Sequence, residues 1–235
     1  MNHPSENVDS FVMKTYKIGG IALLLFGVCY ILGGILSLVI GPSPAGIAYF
    51  TSLAKHPTLS FMNFTVFIVA HLFLIPGVIA LYLVLRHNNK IVMIIATGIL
   101  AAFIIMDIGI TELISLSLVS LSQNYAASSG SAQAAFLSEA QNLLGILPLA
   151  TLLSFVVSSI GFIVIALVMM KGPFTRLAGI IGIIVGIEGI LAGFYIVIPS
   201  LSLLMIPSLF TAALWAIIVG VQLNKLGNPG SSMTE

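Results

Sequence analysis

Long runs of apolar residues, separated by short polar segments, set the pattern of this chain. A run of about 18 or more apolar residues marks a transmembrane helix candidate, because about 20 helical residues cross a bilayer core of roughly 30 Å. Six such runs predict an all-α protein, a polytopic transmembrane bundle with six membrane-spanning helices. The predicted spans are residues 18–40, 61–85, 91–119, 143–170, 177–198 and 208–223.

Little chain is left outside the bundle. We predict a cytoplasmic N-terminal segment at residues 1–17 and a single transmembrane domain at residues 18–226. Residues 227–235 are rich in Gly, Ser and Pro, which favours a disordered cytoplasmic tail.

Two connections between spans have a pattern of their own. Apolar residues recur at helical spacing within 44–57, which indicates a short helix at the membrane surface. The connection at 123–142 is small and polar, so we expect a loop there with one short helix at about 132–141.

The positively charged residues give the orientation, because cytoplasmic loops of membrane proteins are enriched in Lys and Arg. With six spans, all but one of the eight cationic residues fall on the side of both termini, and Lys55 falls on the other. We therefore predict that both termini are cytoplasmic. The residues on the terminal side are Lys14, Lys17, Arg86, Lys90, Lys171, Arg176 and Lys225.

The composition excludes other classes of protein. Of 235 residues, 59% are hydrophobic and 6% are charged, whereas about a quarter of the residues in a soluble domain are charged. The formal net charge of +1 leaves no basic surface for nucleic acid. The single cysteine, Cys29, lies in the first span and can form neither an intramolecular disulfide nor a CxxC site. The lipid bilayer is therefore the expected partner.

Glycines recur along two of the predicted spans. Small residues let helix backbones approach closely in a membrane, so such stripes are typical of helix contacts. We interpret both stripes as helix-packing faces, and a substrate-facing groove is the alternative. The glycines are Gly20, Gly27 and Gly34 on the first span and Gly179, Gly182, Gly186, Gly189 and Gly193 on the fifth.

Ionisable residues inside spans are costly in lipid and mark candidate functional sites. At about 1.5 Å per residue, Glu188 and Asp107 lie roughly 16 and 24 Å from the cytoplasmic helix ends, and His71 lies roughly 15 Å from the outer end. Glu112 lies nearer the outer end of the third span. These four residues are candidates for binding a substrate or a proton, because transporters build proton relays from such groups. Structural hydrogen bonding between helices is the alternative.

The sequence does not contain the residue patterns that are typical of enzymes. The chain has no HExxH, GxSxG or P-loop motif. The histidines other than His71 lie in loops or in the N-terminal segment. We therefore expect no enzymatic activity, no catalytic residue, no bound metal and no cofactor.

Two functions stay open. The first is a non-enzymatic membrane component that acts through helix contacts on its glycine faces, as a homo-oligomer or as the partner subunit of another membrane protein. The second is a small permease or proton-coupled transporter, whose carboxylates and histidine converge near the midplane. Convergence of those side chains favours the second function, and dispersal favours the first.

Three segments resemble an uncharacterised family of multipass prokaryotic membrane proteins, the domain of unknown function 4386 (DUF4386). They read GGIALL at 19–24, LSLVSLSQ at 116–123 and LWAIIVG at 214–220. The resemblance implies a six-helix integral protein of a prokaryotic cytoplasmic membrane with unknown activity. Family members often carry an Arg and a Glu in the third helix, whereas this chain has Asp107 and Glu112 without an Arg, so no catalytic residue is transferred.

Overall fold

The computed structural model describes residues 4–40 and 46–228. Every element in this part of the chain is a helix, and six helical segments are long and apolar enough to cross a membrane. The predicted all-α bundle with six spans is therefore confirmed. The end of the tail that we predicted to be disordered, from residue 229 onward, lies outside the described residues.

The third predicted span consists of α4, a π-helix and α5, which continue one another without a break, and α2 lies where a short surface helix was predicted. The other spans correspond to α1, α3, α6, α7 and α8. In chain order the helices are α1 (Pro4–Ile40), α2 (Ile47–Leu53), α3 (Pro57–Leu85), α4 (Lys90–Met106), the π-helix (Asp107–Glu112), α5 (Leu113–Ala127), α6 (Gly130–Met169), α7 (Arg176–Gly193), two 3₁₀-helices (Phe194–Ile196 and Pro199–Leu204) and α8 (Met205–Leu226).

The connection between the third and fourth spans is shorter than the sequence pattern predicts. We expected a loop at 123–142, whereas only Ser128 and Ser129 lie outside helices. The segment is rich in Ala, with Gln, Glu and Leu, which all favour helix. Its Phe136 also packs against the cluster around the fully buried Phe50 of α2. The short helix predicted at about 132–141 is therefore present, but it is continuous with α6 and leaves a connection of only two residues.

Several of the segments that connect the helices lie at one end of the bundle. The Asn88 side chain donates a 2.6 Å hydrogen bond to the Lys171 carbonyl, and the Thr175 backbone N–H donates one of 2.9 Å to Gln222. Gly227, just after α8, lies against the first turns of α1. We call this the cationic end, and its opposite, where α2 lies, the α2 end. The cationic end carries Lys14, Lys17, Arg86, Lys90, Lys171, Arg176 and Lys225.

The helices pack in two groups that share a core. α1 lies between α3 and α8, and α6 lies between α4 and α7. The main apolar cluster includes Leu23 of α1, Leu74 of α3, Leu100 of α4 and Trp215 of α8, all fully buried. A smaller cluster at the α2 end joins α2, α5 and α6. The polar side chains described next lie between these two clusters.

Candidate functional site

His71 is the centre of the buried polar contacts. It lies in the middle of α3, where its side chain is 2% exposed. The Nε2 atom lies 2.9 Å from the Tyr30 hydroxyl of α1, a hydrogen-bonding distance. The imidazole also meets the Phe103 ring of α4 edge to face, with centroids 5.1 Å apart. Apolar packing therefore fixes the orientation of the imidazole.

Asp107, the first residue of the π-helix, lies on the other side of the imidazole. Its Oδ2 atom is 3.2 Å from Nδ1 of His71, which is an ion-pair distance, although the ring N–H is not aligned with the carboxylate for a hydrogen bond. Asp107 is 8% exposed. The Thr111 and Ser154 hydroxyls are side-chain hydrogen-bond partners of this carboxylate, and their oxygens lie 3.2 Å apart. Five polar side chains from four spans thus form one buried network.

The π-helix places two carboxylates on the interior side of a single span. In an α-helix, residues five apart point about 140° from one another, so Asp107 and Glu112 would face different surroundings. Hydrogen bonding from i to i+5 widens the turn and brings such residues closer to one face. Both side chains are buried, at 8% and 7% exposure. π-bulges are frequent at functional sites, and this one positions both acidic groups.

Glu112 extends the polar region toward the α2 end. Its carboxylate interacts electrostatically with Asp107 and with Tyr30. On its other side it interacts with Tyr49 of α2. The Oε2 atom of Glu112 is buried and has no hydrogen-bond partner among the described residues. The predicted candidates His71, Asp107 and Glu112 therefore lie in one region of the bundle.

Glu188, the fourth candidate, lies apart from this network. It is a half-buried residue of α7, and its Oε2 atom is buried without a hydrogen-bond partner. Within residues 4–40 and 46–228, no hydrogen bond or ion pair connects it to His71 or Asp107. The sequence placed it at a similar depth, but a depth along one helix does not determine which helices are neighbours.

The glycine stripes lie against other helices of the same chain. On α1, a Cβ added at Gly20 would lie 2.7 Å from the Gly220 carbonyl of α8, and Gly27 and Gly34 also face α8. On α7, Gly186 faces the backbone of Ser159 in α6. Gly179, Gly182, Gly189 and Gly193 face α6 as well, and Gly182 also touches Trp215 of α8. These faces are thus occupied inside the protein.

Sequence reasoning missed Tyr30, Tyr49 and Ser154. A tyrosine hydroxyl in the middle of an apolar span needs a partner when it is buried, and that signal pointed to Tyr30. Ser154 carries no such signal, because a serine in a membrane helix commonly bonds to its own backbone. Tyr49 lies outside the spans, where a polar residue is unremarkable. Only the packing of α2 and α6 against the π-helix brings the last two residues to the site.

The described residues include no group of three or more His, Cys, Asp or Glu side chains that could hold a metal ion. The network of five side chains joins one imidazole, one carboxylate and three hydroxyls, and the Glu112 carboxylate lies near it. A histidine is the side chain whose charge changes most readily near neutral pH.

Comparison with known proteins agrees with the fold. The family model described as Domain of unknown function (DUF4386) matches residues 18–223. This range extends from the first predicted span to the last, so the resemblance drawn from short segments is confirmed. No curated protein and no solved structure matches the chain.

Proposed function

Since the chain belongs to the family Domain of unknown function (DUF4386), which transfers no activity to it, we propose from its own site that it is a small proton-coupled membrane carrier. In this proposal Tyr30, His71 and Asp107 bind the coupling proton. The protein is not an enzyme, and its charges serve binding and release.

The observation that carries the proposal is the buried chain Tyr30–His71–Asp107, with links of 2.9 and 3.2 Å. Polar groups inside a membrane are expensive and usually have a function. A single hydrogen bond would be enough to hold two helices in register. Here both imidazole nitrogens have polar neighbours, and the carboxylate can balance the charge that protonation creates.

The geometry of the network suggests how proton binding is coupled to a movement of the helices. The network joins α1, α3, the π-helix and α6. Protonation of His71 strengthens its attraction to Asp107, and proton loss weakens it. Because these helices belong to both packing groups of the bundle, a change in that attraction alters how the groups pack. We propose that this change opens and closes a path for a small solute.

The orientation follows from the cationic end. Positively charged loops stay in the cytoplasm, so we propose that the cationic end is cytoplasmic, that both termini lie there, and that the membrane is a prokaryotic cytoplasmic membrane. The α2 end then faces outward.

Protonation of the site is directly measurable. Purified protein labelled with ¹⁵N-histidine and reconstituted in liposomes contains four histidines. The His71 signals are assigned by their loss in His71→Asn. We expect the ring nitrogens to change protonation between about pH 5 and pH 8. Asp107→Asn should move that transition, whereas Glu188→Gln should leave it in place.

A His71 that keeps one protonation state over this range contradicts the proposal. The transport step is tested with proteoliposomes that contain a pH-sensitive dye and are offered panels of small solutes. Solute-dependent proton entry that survives in Glu188→Gln and is lost in Asp107→Asn supports a coupled carrier.

A second candidate function is that of a partner subunit or homo-oligomer. The observation that favours it is half-buried Glu188, whose Oε2 atom has no hydrogen-bond partner among the described residues. A polar group in lipid gains from a hydrogen bond to a neighbouring helix. Crosslinking in native membranes tests this function, and Glu188→Gln should then reduce the crosslinked species.

A further inference from the structure

Glu112 is not explained by the Tyr30–His71–Asp107 chain. Its side chain is 7% exposed, and its Oε2 atom has no hydrogen-bond partner among the described residues. Burying a carboxylate without a positive partner is strongly unfavourable. No Lys or Arg lies within the π-helix or α5. The group that can neutralise such a carboxylate in place is a proton.

The groups that face Glu112 come from three elements. Asp107 belongs to its own π-helix, Tyr30 to α1 and Tyr49 to α2, and each of them interacts electrostatically with Glu112. Glu112 therefore lies close to Asp107 and Tyr30 of the site and to Tyr49 at the α2 end.

Further hydroxyl groups lie between the π-helix and the α2 end. The Tyr49 side chain hydrogen bonds to Ser115, and the Ser115 hydroxyl donates a 2.8 Å bond to the Thr111 carbonyl. Burial raises the pKa of Tyr49, so its phenol stays neutral and can both donate and accept a hydrogen bond. Tyr195, half-buried after α7, lies near Tyr49. Polar side chains thus reach from the π-helix to the α2 end.

The residues between the site and the cationic end differ from those between the site and the α2 end. The Thr97 hydroxyl of α4 is buried on that side and has no hydrogen-bond partner among the described residues. The fully buried residues of α1, α3 and α4 there are apolar. They form a layer of fully buried side chains that includes Leu23, Phe26, Leu74, Leu81, Met93 and Leu100. Such a layer holds no chain of groups along which a proton can move.

We propose that Glu112 is the proton-exchange residue of the site and connects it with water at the α2 end, past Tyr49. The inference rests on the proposed function. In the transfer step, the protonated Glu112 carboxyl gives its proton to the Asp107 carboxylate. Asp107 becomes the neutral acid and Glu112 becomes the carboxylate, and a hydronium ion at the α2 end then reprotonates Glu112 and leaves a water molecule.

The test is the rate at which the site responds to a pH jump. Reconstituted protein is followed by time-resolved infrared difference spectroscopy, and the Asp107 carboxyl band is assigned by its loss in Asp107→Asn. We expect Glu112→Gln to slow protonation of the site about a hundredfold, which is typical for removing a positioned acid–base group. The final spectra at both pH values should be reached all the same. Glu188→Gln is the matched control and should respond as fast as the wild type.

A second pair of variants tests the direction. Tyr49 lies toward the α2 end and Tyr82 of α3 toward the cationic end. We expect Tyr49→Phe to slow the response about tenfold and Tyr82→Phe to leave it unchanged. Because this pair does not alter Glu112, it also tests the inference if Glu112→Gln fails to fold, which the fluorescence of Trp215 reports.

The outcomes separate the two proposals. If the site responds to pH but Glu112→Gln is as fast as the wild type, the inference about Glu112 is wrong while the proton-binding site stands. If Tyr82→Phe slows the response and Tyr49→Phe does not, protons enter from the cationic end and the inference is again wrong. If the wild type shows no pH response in His71 or Asp107, the proposed function itself fails.

Discussion

Asp107 and Glu188 are both carboxylates inside membrane spans, yet their surroundings differ. Asp107 lies 3.2 Å from His71 and has the Thr111 and Ser154 hydroxyls beside it. Glu188 lies on the glycine-rich α7, and its Oε2 atom has no hydrogen-bond partner among the described residues. In the polar region, four spans thus contribute polar side chains to one network. In the α6–α7 region, the backbone of one helix packs against the backbone of the other.

The comparison teaches that depth in the membrane is a weak guide to function. A carboxyl group becomes part of a site only when neighbouring helices supply groups that respond to its charge. In the α6–α7 region the glycines bring the helices close together, and the polar side chain that Gly189 faces is the hydroxyl of Ser159. The indole N–H of Trp215, which is fully buried beside Gly182, has no hydrogen-bond partner in the described part of the chain.

The largest expected effect is in the close-packed region. In Gly186→Ala the new methyl group would meet the side chain of Ile163 and lie 2.8 Å from the Ser159 carbonyl. We expect the free energy of unfolding to fall by about 3 kcal/mol, since backbone cannot move aside easily. Titration of the micellar protein with a denaturing detergent, followed by the fluorescence of the only tryptophan, measures it.

Gly98→Ala is the matched control, because a Cβ at Gly98 would meet no atom within 4 Å. It should be neutral or slightly stabilising, as alanine favours helix over glycine. Equal losses in the two variants would mean that close packing is not what holds α6 and α7 together.

The next effect compares the two carboxylates directly. Asp107→Ala removes the ion-pair partner of His71 and the carboxylate to which the Thr111 and Ser154 hydroxyls bond, so we expect a loss of about 2 kcal/mol. Glu188→Ala deletes a carboxyl without a partner and should cost much less. Measured in the same unfolding assay, similar losses at the two positions would remove the contrast between the regions.

A smaller loss of stability is expected on the Nε2 side of the His71 imidazole. Tyr30→Phe keeps the ring and removes the hydroxyl that lies 2.9 Å from Nε2 of His71. The stability should fall by about 0.6 kcal/mol, the average for a hydrogen bond between membrane helices. Tyr82→Phe, on a residue packed against the core, should have no measurable effect. A loss confined to Tyr82→Phe would contradict the assignment of Tyr30 to the network.

The smallest expected effect is an increase in the free energy of unfolding. Glu188→Leu replaces an unpartnered carboxyl by an apolar side chain, which is favourable in lipid. We expect a gain of about 0.5 kcal/mol, because the residue is only half-buried and its carboxyl is partly accommodated already. Unfolding curves in detergent and in liposomes check the sign. A clear loss of stability would show that Glu188 has a partner in the membrane.

Much of the fold was predictable because it depends on local chemistry. Apolar runs of sufficient length must cross the bilayer as helices, since every backbone polar group has to be satisfied within the segment. The connection at 123–142 was predicted only in part, because the helix expected at about 132–141 is present as the first part of α6, where Phe136 packs against the cluster that includes Phe50 of α2. The site was predicted only as a set of candidate residues.

By itself, the sequence determined six helices and placed seven cationic residues at one end of the bundle. It also determined how deep His71, Asp107, Glu112 and Glu188 lie along their helices. The tertiary structure decided that three of these residues lie in one region, that Tyr30 and Tyr49 extend it, and that Glu188 stays outside. The physical reason is that helix formation and membrane insertion depend on each segment alone. Contact between segments depends on which helices become neighbours and on the π-helix that turns Asp107 and Glu112 to the interior.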